Sequence, residues 1–350
     1  MGKFEGIQYI KDQCFMDLPE LSSFAQDLSG KTIIVIGANI GLGLATAKHF
    51  ASLKPSRLIL GCRSKEKGDA AVKEIQQGID SSETTVENWE IDLEKNKMIS
   101  DFADRFEREA NGQLDILIMN AGLNTICHTS TESGWEKSIQ VNHLGTALLT
   151  LLLLPYMKNA PYSPPTPRIV VVGSETHYFV TFKKQARKPN IIEALNEETS
   201  SGAMSERYYY TKLLNLFFAR SLAARLPSPS AENRNPVVTV VNPGWCKTEL
   251  MRDQQTTLKG RVIRVFSLFM CRTAEEGGRV ILWAALSHLD NELHGRYSTS
   301  FRIEEESDYS LTPQGREAEK RTWDETISIL EKVDPRVKTI VQEQLTNPSS

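Results

Sequence analysis

The residues most able to do chemistry are Tyr208 and Lys212, in the stretch Tyr208-Tyr-Tyr-Thr-Lys-Leu-Leu-Asn. Four residues apart on a helix, they share a face, so the ammonium lies beside the phenol. A free phenol, with a pKa of about 10, exchanges protons poorly near neutrality. A neighbouring cation is expected to stabilise the phenolate and lower that value. Tyr209, three residues before Lys212, can reach the same ammonium, and an amphipathic helix with aromatics on its buried side gives the same spacing. The pair alone therefore leaves the assignment open. Ser174 closes an apolar run at a point where its hydroxyl can hydrogen-bond a substrate oxygen, although serine there is often a plain turn former. Asn142 falls in the middle of an expected helix, where Asn is mildly unfavourable and invites a functional explanation.

These groups need a scaffold, and the stretch Lys31 to Phe50 supplies its first unit. Thr32 to Ile36 is a β-branched run that reads as a short buried strand. It leads into Gly37-Ala-Asn39-Ile-Gly41-Leu42-Gly43 and then an Ala-rich helical pattern. Strand, glycine turn and helix make a phosphate-binding unit: the glycines let the backbone approach a pyrophosphate, and the N–H groups opening the helix point at its charge. The spacing is Gly-x3-Gly-x-Gly rather than the usual Gly-x-Gly-x2-Gly.

Further strands are expected over Leu58–Cys62, Val86–Ile91, Leu114–Met119, Arg168–Val172 and Val237–Val241, separated by helices at Lys65–Gln77, Lys97–Ala110, up to Met157, Ser205–Arg225 and from Thr273 to about Leu286. Thr129 with Glu132 has capping-box spacing and is expected to open the long helix ending near Met157; Thr273 with Glu276 repeats the pattern. Alternating strands and helices imply an α/β fold, a single-domain, doubly wound parallel sheet of at least six strands with helices on both faces. Residues 1–29 form a helical extension, 30–300 the main domain with a polar insertion at 178–204 and a substrate lid at 249–272, and 301–350 a helical tail.

Ligands in such a sheet bind at the carboxyl ends of the strands. After the second strand, where a ribose hydroxyl would call for an acidic residue, stand Arg63 and Lys67, offering charge for a 2′-phosphate. Asp92-Leu93 follows the third strand; Asp92 can accept from an adenine amino group or cap the next helix. Asn120-Ala121-Gly122 follows the fourth, where small residues let a cofactor lie on the backbone. Pro243, Gly244 and Thr248 follow the sixth, with Thr248 able to bond a carboxamide or phosphate.

Composition narrows the function classes. The chain has 350 residues, 24% charged and 40% hydrophobic, with a net charge of −3, which is ordinary for a soluble globular protein and gives no electrostatic case for nucleic acid. Five scattered cysteines without a Cys-x-x-Cys pair argue against a disulfide framework or metal site and for a reducing compartment. The N-terminus lacks the apolar core of a signal peptide. The apolar run Ala147–Met157 falls far short of the roughly 20 residues that span a bilayer. A cytoplasmic protein is expected, with peripheral membrane contact and homo-oligomerisation both compatible.

In this order, Gly37-x3-Gly41-x-Gly43, Asp92-Leu93, Asn120-Ala121-Gly122, Asn142, Ser174, Tyr208-x3-Lys212 and Pro243-Gly244-x3-Thr248 resemble the short-chain dehydrogenase/reductase superfamily over roughly residues 30 to 290. The turn Gly-Ala-Asn and Gly-Cys-Arg-Ser-Lys-Glu-Lys-Gly after the second strand look most like its retinol-dehydrogenase-type and fungal specialised-metabolism branches. The resemblance implies a Rossmann-type fold, NADP(H), and reduction of a ketone or aldehyde, or oxidation of the corresponding alcohol. It implies that Tyr208 is the acid/base, that Lys212 tunes it and holds the nicotinamide ribose, that Ser174 orients the reacting oxygen, and that Asn142 supports a proton-relay water. Ile36 departs from the family, which usually has a turn-bracing Thr before the first glycine. Ser174 and Tyr208 are also further apart than in most members.

Lid residues Val262, Ile263, Val265, Phe266, Leu268, Phe269 and Met270 favour a bulky hydrophobic small-molecule substrate. Lys183, Lys184, Arg187 and Lys188 make the insertion basic, which suits an acidic partner or simply a solvated loop. The alternative function is a cofactor-binding protein without redox turnover, a regulator or a scaffold for a non-redox cyclisation.

Overall fold

The computed structural model describes residues 6–80, 83–110, 112–158, 166–227, 234–247 and 271–346. Thr248 and nearly all of the expected lid lie outside the described residues. Eight strands form one sheet: β1 (Thr32–Ile36), β2 (Arg57–Cys62), β3 (Thr85–Glu90), β4 (Ile116–Met119), β5 (Arg168–Val172), β6 (Val237–Asn242), β7 (Tyr297–Thr299) and β8 (Arg302–Glu304), in spatial order β3-β2-β1-β4-β5-β6-β7-β8. All pairs are parallel except β7 with β8. The last two strands are only three residues long, too short to leave a periodic signal.

The strands are apolar on both sides because helices cover both sides. Ile33 and Val35 of β1 join a core with α2 (Gly41–Ser52), α3 (Lys65–Gln76) and the helix Ala274–Leu286. Ile34 and Ile36 face the opposite core, built by α4 (Asn96–Glu109), the helices that follow β4 and β5, and the C-terminal helices. The chain leaves β1 toward β2 and β3 and returns to place β4 on the other flank of β1. That reversal opens a crevice at the carboxyl ends of β1 and β4.

The long helix does not begin at Thr129–Glu132. Gly134 adopts a left-handed φ of +82°, and Thr131 N–H donates to Trp135 O at 2.8 Å, closing a turn instead. The helix starts as α5 (Lys137–Ile139), capped by Glu136, whose carboxylate accepts from the Ser138 and Ile139 N–H groups at 2.9 and 3.2 Å. It widens into a π-helical segment, Gln140–Gly145, before α6 (Thr146–Lys158). The run Lys137–Lys158 is long and apolar enough to cross a membrane, but 94% of its apolar window is buried inside the protein, as for a core helix.

The insertion carries more structure than its polarity suggests. Val180, Phe182, Ile191, Ile192 and Leu195 are buried, and α7 (Ile191–Glu197) is capped by Glu325, which accepts from the Ile191 and Ile192 N–H groups. Lys184 and Lys188 pair with Glu198 and Glu197, which offsets the basic character of the loop. The next helix, α8 (Ser201–Ala223), starts four residues earlier than expected because Ser200 caps it. The full capping box at Thr273 and Glu276 opens α9 (Ala274–Leu286). α10 (Asp290–Leu293) and α11 (Asp308–Leu311) are followed by α12 (Pro313–Val333) and α13 (Arg336–Gln344), with Trp323 stacked on Phe218 of α8. At the other end, α1 (Gly6–Phe15) is fastened across the carboxyl end of β6: Gln13 donates to Trp245 O and accepts from Trp245 N–H.

Candidate active site

The glycine turn closes over its own backbone. Gly37 has a φ of +78° and Gly41 of +60°, a region glycine enters without steric cost. A Cβ on Gly37 would stand 2.9 Å from Ala121 Cα, and one on Gly43 would overlap the Gly37 carbonyl oxygen. Ile40, preceding α2, makes no side-chain cap. The N–H groups of the first turn are therefore open to an anion, and the Cβ-free surface admits a dinucleotide against the backbone. Ile36 removes the usual hydroxyl brace, and Asn120 takes its place: its amide donates to Ile36 O at 3.3 Å and Gly37 O at 3.0 Å. Asn39 and Leu42 lie on this turn, both part-buried.

Arg63 follows β2 with its side chain 57% exposed, held by Glu94 at 3.3 Å. Lys67 is exposed on α3. Asp92 does not cap α4; its Oδ1 accepts from Glu94 N–H at 3.0 Å in a local turn, and the capping position, Lys95, makes no side-chain bond. Leu93 is buried, its carbonyl accepting from Gln140. Pro243 and Gly244 (φ +85°) form the turn after β6, where Arg272 donates to Pro243 O at 3.2 Å.

Asn142, Lys212 and Gly122 converge at the end of β4. A Cβ on Gly122 would stand 3.5 Å from Asn142 Oδ1 and 3.7 Å from Lys212 Nζ. Asn142 lies on the π-helical segment rather than a regular helix. There its amide clamps Leu123, accepting from its N–H and donating to its carbonyl, both at 2.8 Å, and also donates to Thr211 Oγ1. Lys212 Nζ donates to Val172 O at 2.7 Å and lies 5.4 Å from the centroid of the Tyr208 ring. Both side chains are buried.

The expected lowering of the Tyr208 pKa by Lys212 is not what this geometry produces. Burial pushes the phenol above its ordinary range, the negative Glu175 adds to this, and the Ser174 hydrogen bond opposes it. The ammonium is directed to a carbonyl rather than to the phenol oxygen, and burial pulls its own pKa down to about 8.

Ser174 caps a short 3-10 turn, Glu175–Phe179, accepting from Thr176 N–H at 3.3 Å. Its hydroxyl donates to Glu175 Oε2 at 3.2 Å. His177 anchors the turn, its Nδ1 donating to Ser174 O at 2.7 Å, and burial holds that imidazole down at about 4, hence neutral. Glu175 is the residue that sequence reading missed; the available signal was an acidic side chain directly after a strand-end serine. Tyr9, brought in by α1, faces Glu175, and nothing local in the sequence announces this.

Residues 31–185 match the family described as short chain dehydrogenase. A short-chain dehydrogenase of Aspergillus ruber, fogG, is 36% identical over 327 residues, covering 93% of this chain and 92% of the relative. The short chain dehydrogenase sol3 of Alternaria solani is 35% identical, covering 87% of this chain and all of the relative. Among solved structures, a short chain dehydrogenase from Burkholderia cenocepacia in complex with NADP superposes with a TM-score of 0.55 at 19% identity, over 78% of this chain and 97% of that one.

Proposed function

This chain belongs to the short-chain dehydrogenase family, and on that premise we propose that it is an NADPH-dependent reductase of a ketone or aldehyde on a bulky hydrophobic substrate. The observation that carries the reading is the grouping of Lys212 and Asn142 about Gly122, with the Tyr208 ring 5.4 Å from the Lys212 ammonium and Ser174 acting on the same phenol, beside the uncapped glycine turn. That turn, with Gly37, Gly41 and Gly43, would hold the pyrophosphate, and Arg63 and Lys67 the 2′-phosphate. Asn39, Leu42, Asp92, Leu93, Ala121, Pro243 and Gly244 would line the remainder. The NADP-bound state of the Burkholderia structure is consistent with this choice. The fungal sources of the two relatives support a place in fungal specialised metabolism.

When bound, the nicotinamide supplies a hydride to the carbonyl carbon. Ser174 orients the carbonyl oxygen, and Tyr208 delivers its phenolic proton to it, leaving an alcohol product and a phenolate. Lys212 steadies that phenolate while it regains a proton, and Asn142, by fixing Leu123, shapes the wall through which the proton returns. A phenol held protonated suits the acid role in reduction. Phe179, exposed on the turn that begins at Ser174, and the apolar residues Val262 to Met270 favour a hydrophobic substrate.

The test is oxidation of NADPH by the full chain with a panel of ketones and aldehydes. Tyr208→Phe is expected to lower kcat by about 10² to 10⁴; equal activity in the two proteins sinks the mechanism.

A further inference from the structure

The turn after β5 puts a carboxylate inside the proposed catalytic centre. Glu175 is half-buried, and among the described residues it forms no ion pair. It lies where four parts of the fold meet, acting on Tyr208 and Lys212 of α8, Tyr9 of α1, Cys246 beyond β6 and Tyr297 of β7. It accepts a hydrogen bond from Ser174 Oγ at 3.2 Å, and the Tyr9 hydroxyl is a second hydrogen-bond partner.

That bond conflicts with carbonyl binding. A serine hydroxyl has one proton, and Ser174 cannot give it to Glu175 and to a carbonyl oxygen at once. A plain ketone that takes the proton leaves the carboxylate one donor short, with Tyr9 still beside it, in a partly dry site, which is costly. A substrate with its own hydroxyl beside the carbonyl removes the conflict. The two oxygens of an α-hydroxy carbonyl are about one hydrogen-bond length apart, close to the spacing of Ser174 Oγ and Glu175 Oε2. The serine proton then turns to the carbonyl oxygen while the substrate hydroxyl replaces it on the carboxylate, and no bond is lost.

We propose that Glu175 determines substrate choice, its carboxylate accepting a hydroxyl carried next to the reacting carbonyl, so that hydroxy-ketones and hydroxy-aldehydes are taken ahead of their deoxy counterparts. This rests on the carbonyl-reductase reading above. Carboxylate-bearing substrates are disfavoured by the same group through like-charge repulsion.

The test uses the full-length protein saturated with NADP+, titrated calorimetrically with α-hydroxyisobutyrophenone and with isobutyrophenone. The pair differs by one tertiary hydroxyl that the cofactor cannot oxidise, so both ternary complexes persist. The hydroxy-ketone is expected to bind at least about tenfold tighter. The preference should shrink in Glu175→Gln, which keeps the shape and a neutral acceptor, and vanish in Glu175→Leu. Absence of a preference in the wild type, or a preference unchanged in both variants, overturns the proposal. NADPH oxidation with the same ketones is read separately: a preference in binding without reduction counts against the reductase reading and leaves the role of Glu175 standing.

Discussion

Lys212 Nζ donates to the carbonyl oxygen of Val172, 2.7 Å away, tying the middle of α8 to the end of β5. The ammonium is buried, and its lowered pKa, about 8, is the mark of a charge kept out of water. Sites of this kind trade stability for function. Lys212→Met should therefore cost at least about 100-fold in NADPH-dependent activity while leaving Tm unchanged or raised, because the desolvated charge is gone. Activity and Tm measured together check this; a variant that unfolds early and keeps activity would contradict it.

Glu175 acts on the phenol in the opposite direction to a cation. Its charge, after burial, raises the Tyr208 pKa, with Ser174 opposing and Tyr209 adding slightly; Tyr9, Lys212, Cys246 and Tyr297 also face the carboxylate. Alcohol oxidation requires the phenolate as base. Removing the charge lowers the phenol pKa, so the rising limb of kcat/KM for oxidation should move to lower pH in Glu175→Gln. Profiles of the two proteins that coincide would refute the coupling.

In the proposed reading, Arg63 is the group on which cofactor choice would turn. More than half exposed and, among the described residues, held by Glu94, it could leave that carboxylate for a 2′-phosphate at little cost, since exposed pairs contribute little. Arg63→Ala should reduce the ratio of kcat/KM for NADPH over NADH by about 10-fold to 100-fold, with the NADH value nearly unchanged. A ratio unaffected by the substitution would assign the preference elsewhere.

The main sheet was legible because its signals are local. Thr32 to Ile36 and Ile169 to Val172 are uninterrupted β-branched runs with helices on both sides, and the Thr273–Glu276 box is a short-range pattern that formed in full. Thr129 and Glu132 have that same spacing, yet Gly134 and the buried Glu136 determine the helix start; Arg207 of α8, 3.7 Å from that carboxylate, is a partner distant in sequence. Much of the candidate site is non-local in the same way. The Gly-x3-Gly-x-Gly turn and Tyr208-x3-Lys212 can be read along the chain, but the brace that replaces a hydroxyl at Ile36 comes from Asn120. The cap of α7 comes from Glu325. Tyr9 reaches Glu175 only because α1 folds back across the β6 turn.

His143 makes a prediction about stability rather than catalysis. It lies on the π-helical segment next to Asn142, fully buried, 2.9 Å from Thr326 Oγ1 of α12 and edge-on to Phe218. Burial lowers its pKa from 6.5 to about 4, against a hydrogen bond with Asn215 that raises it. The folded state thus resists a proton that the unfolded chain accepts at about pH 6.5. A depressed folded pKa means that the contribution is fully present above pH 6.5 and is lost as the pH falls through the folded value near 4. The full difference is worth up to about 3 kcal/mol. His177, held equally low by burial on the Ser174 turn, contributes over the same window. Unfolding free energy should therefore fall between pH 6.5 and 4, and His143→Gln, though less stable at neutral pH, should lose less of its remaining stability over that interval. Denaturant titrations at stepped pH measure both slopes; equal slopes in the two proteins would show that the imidazole takes up its proton in the folded core.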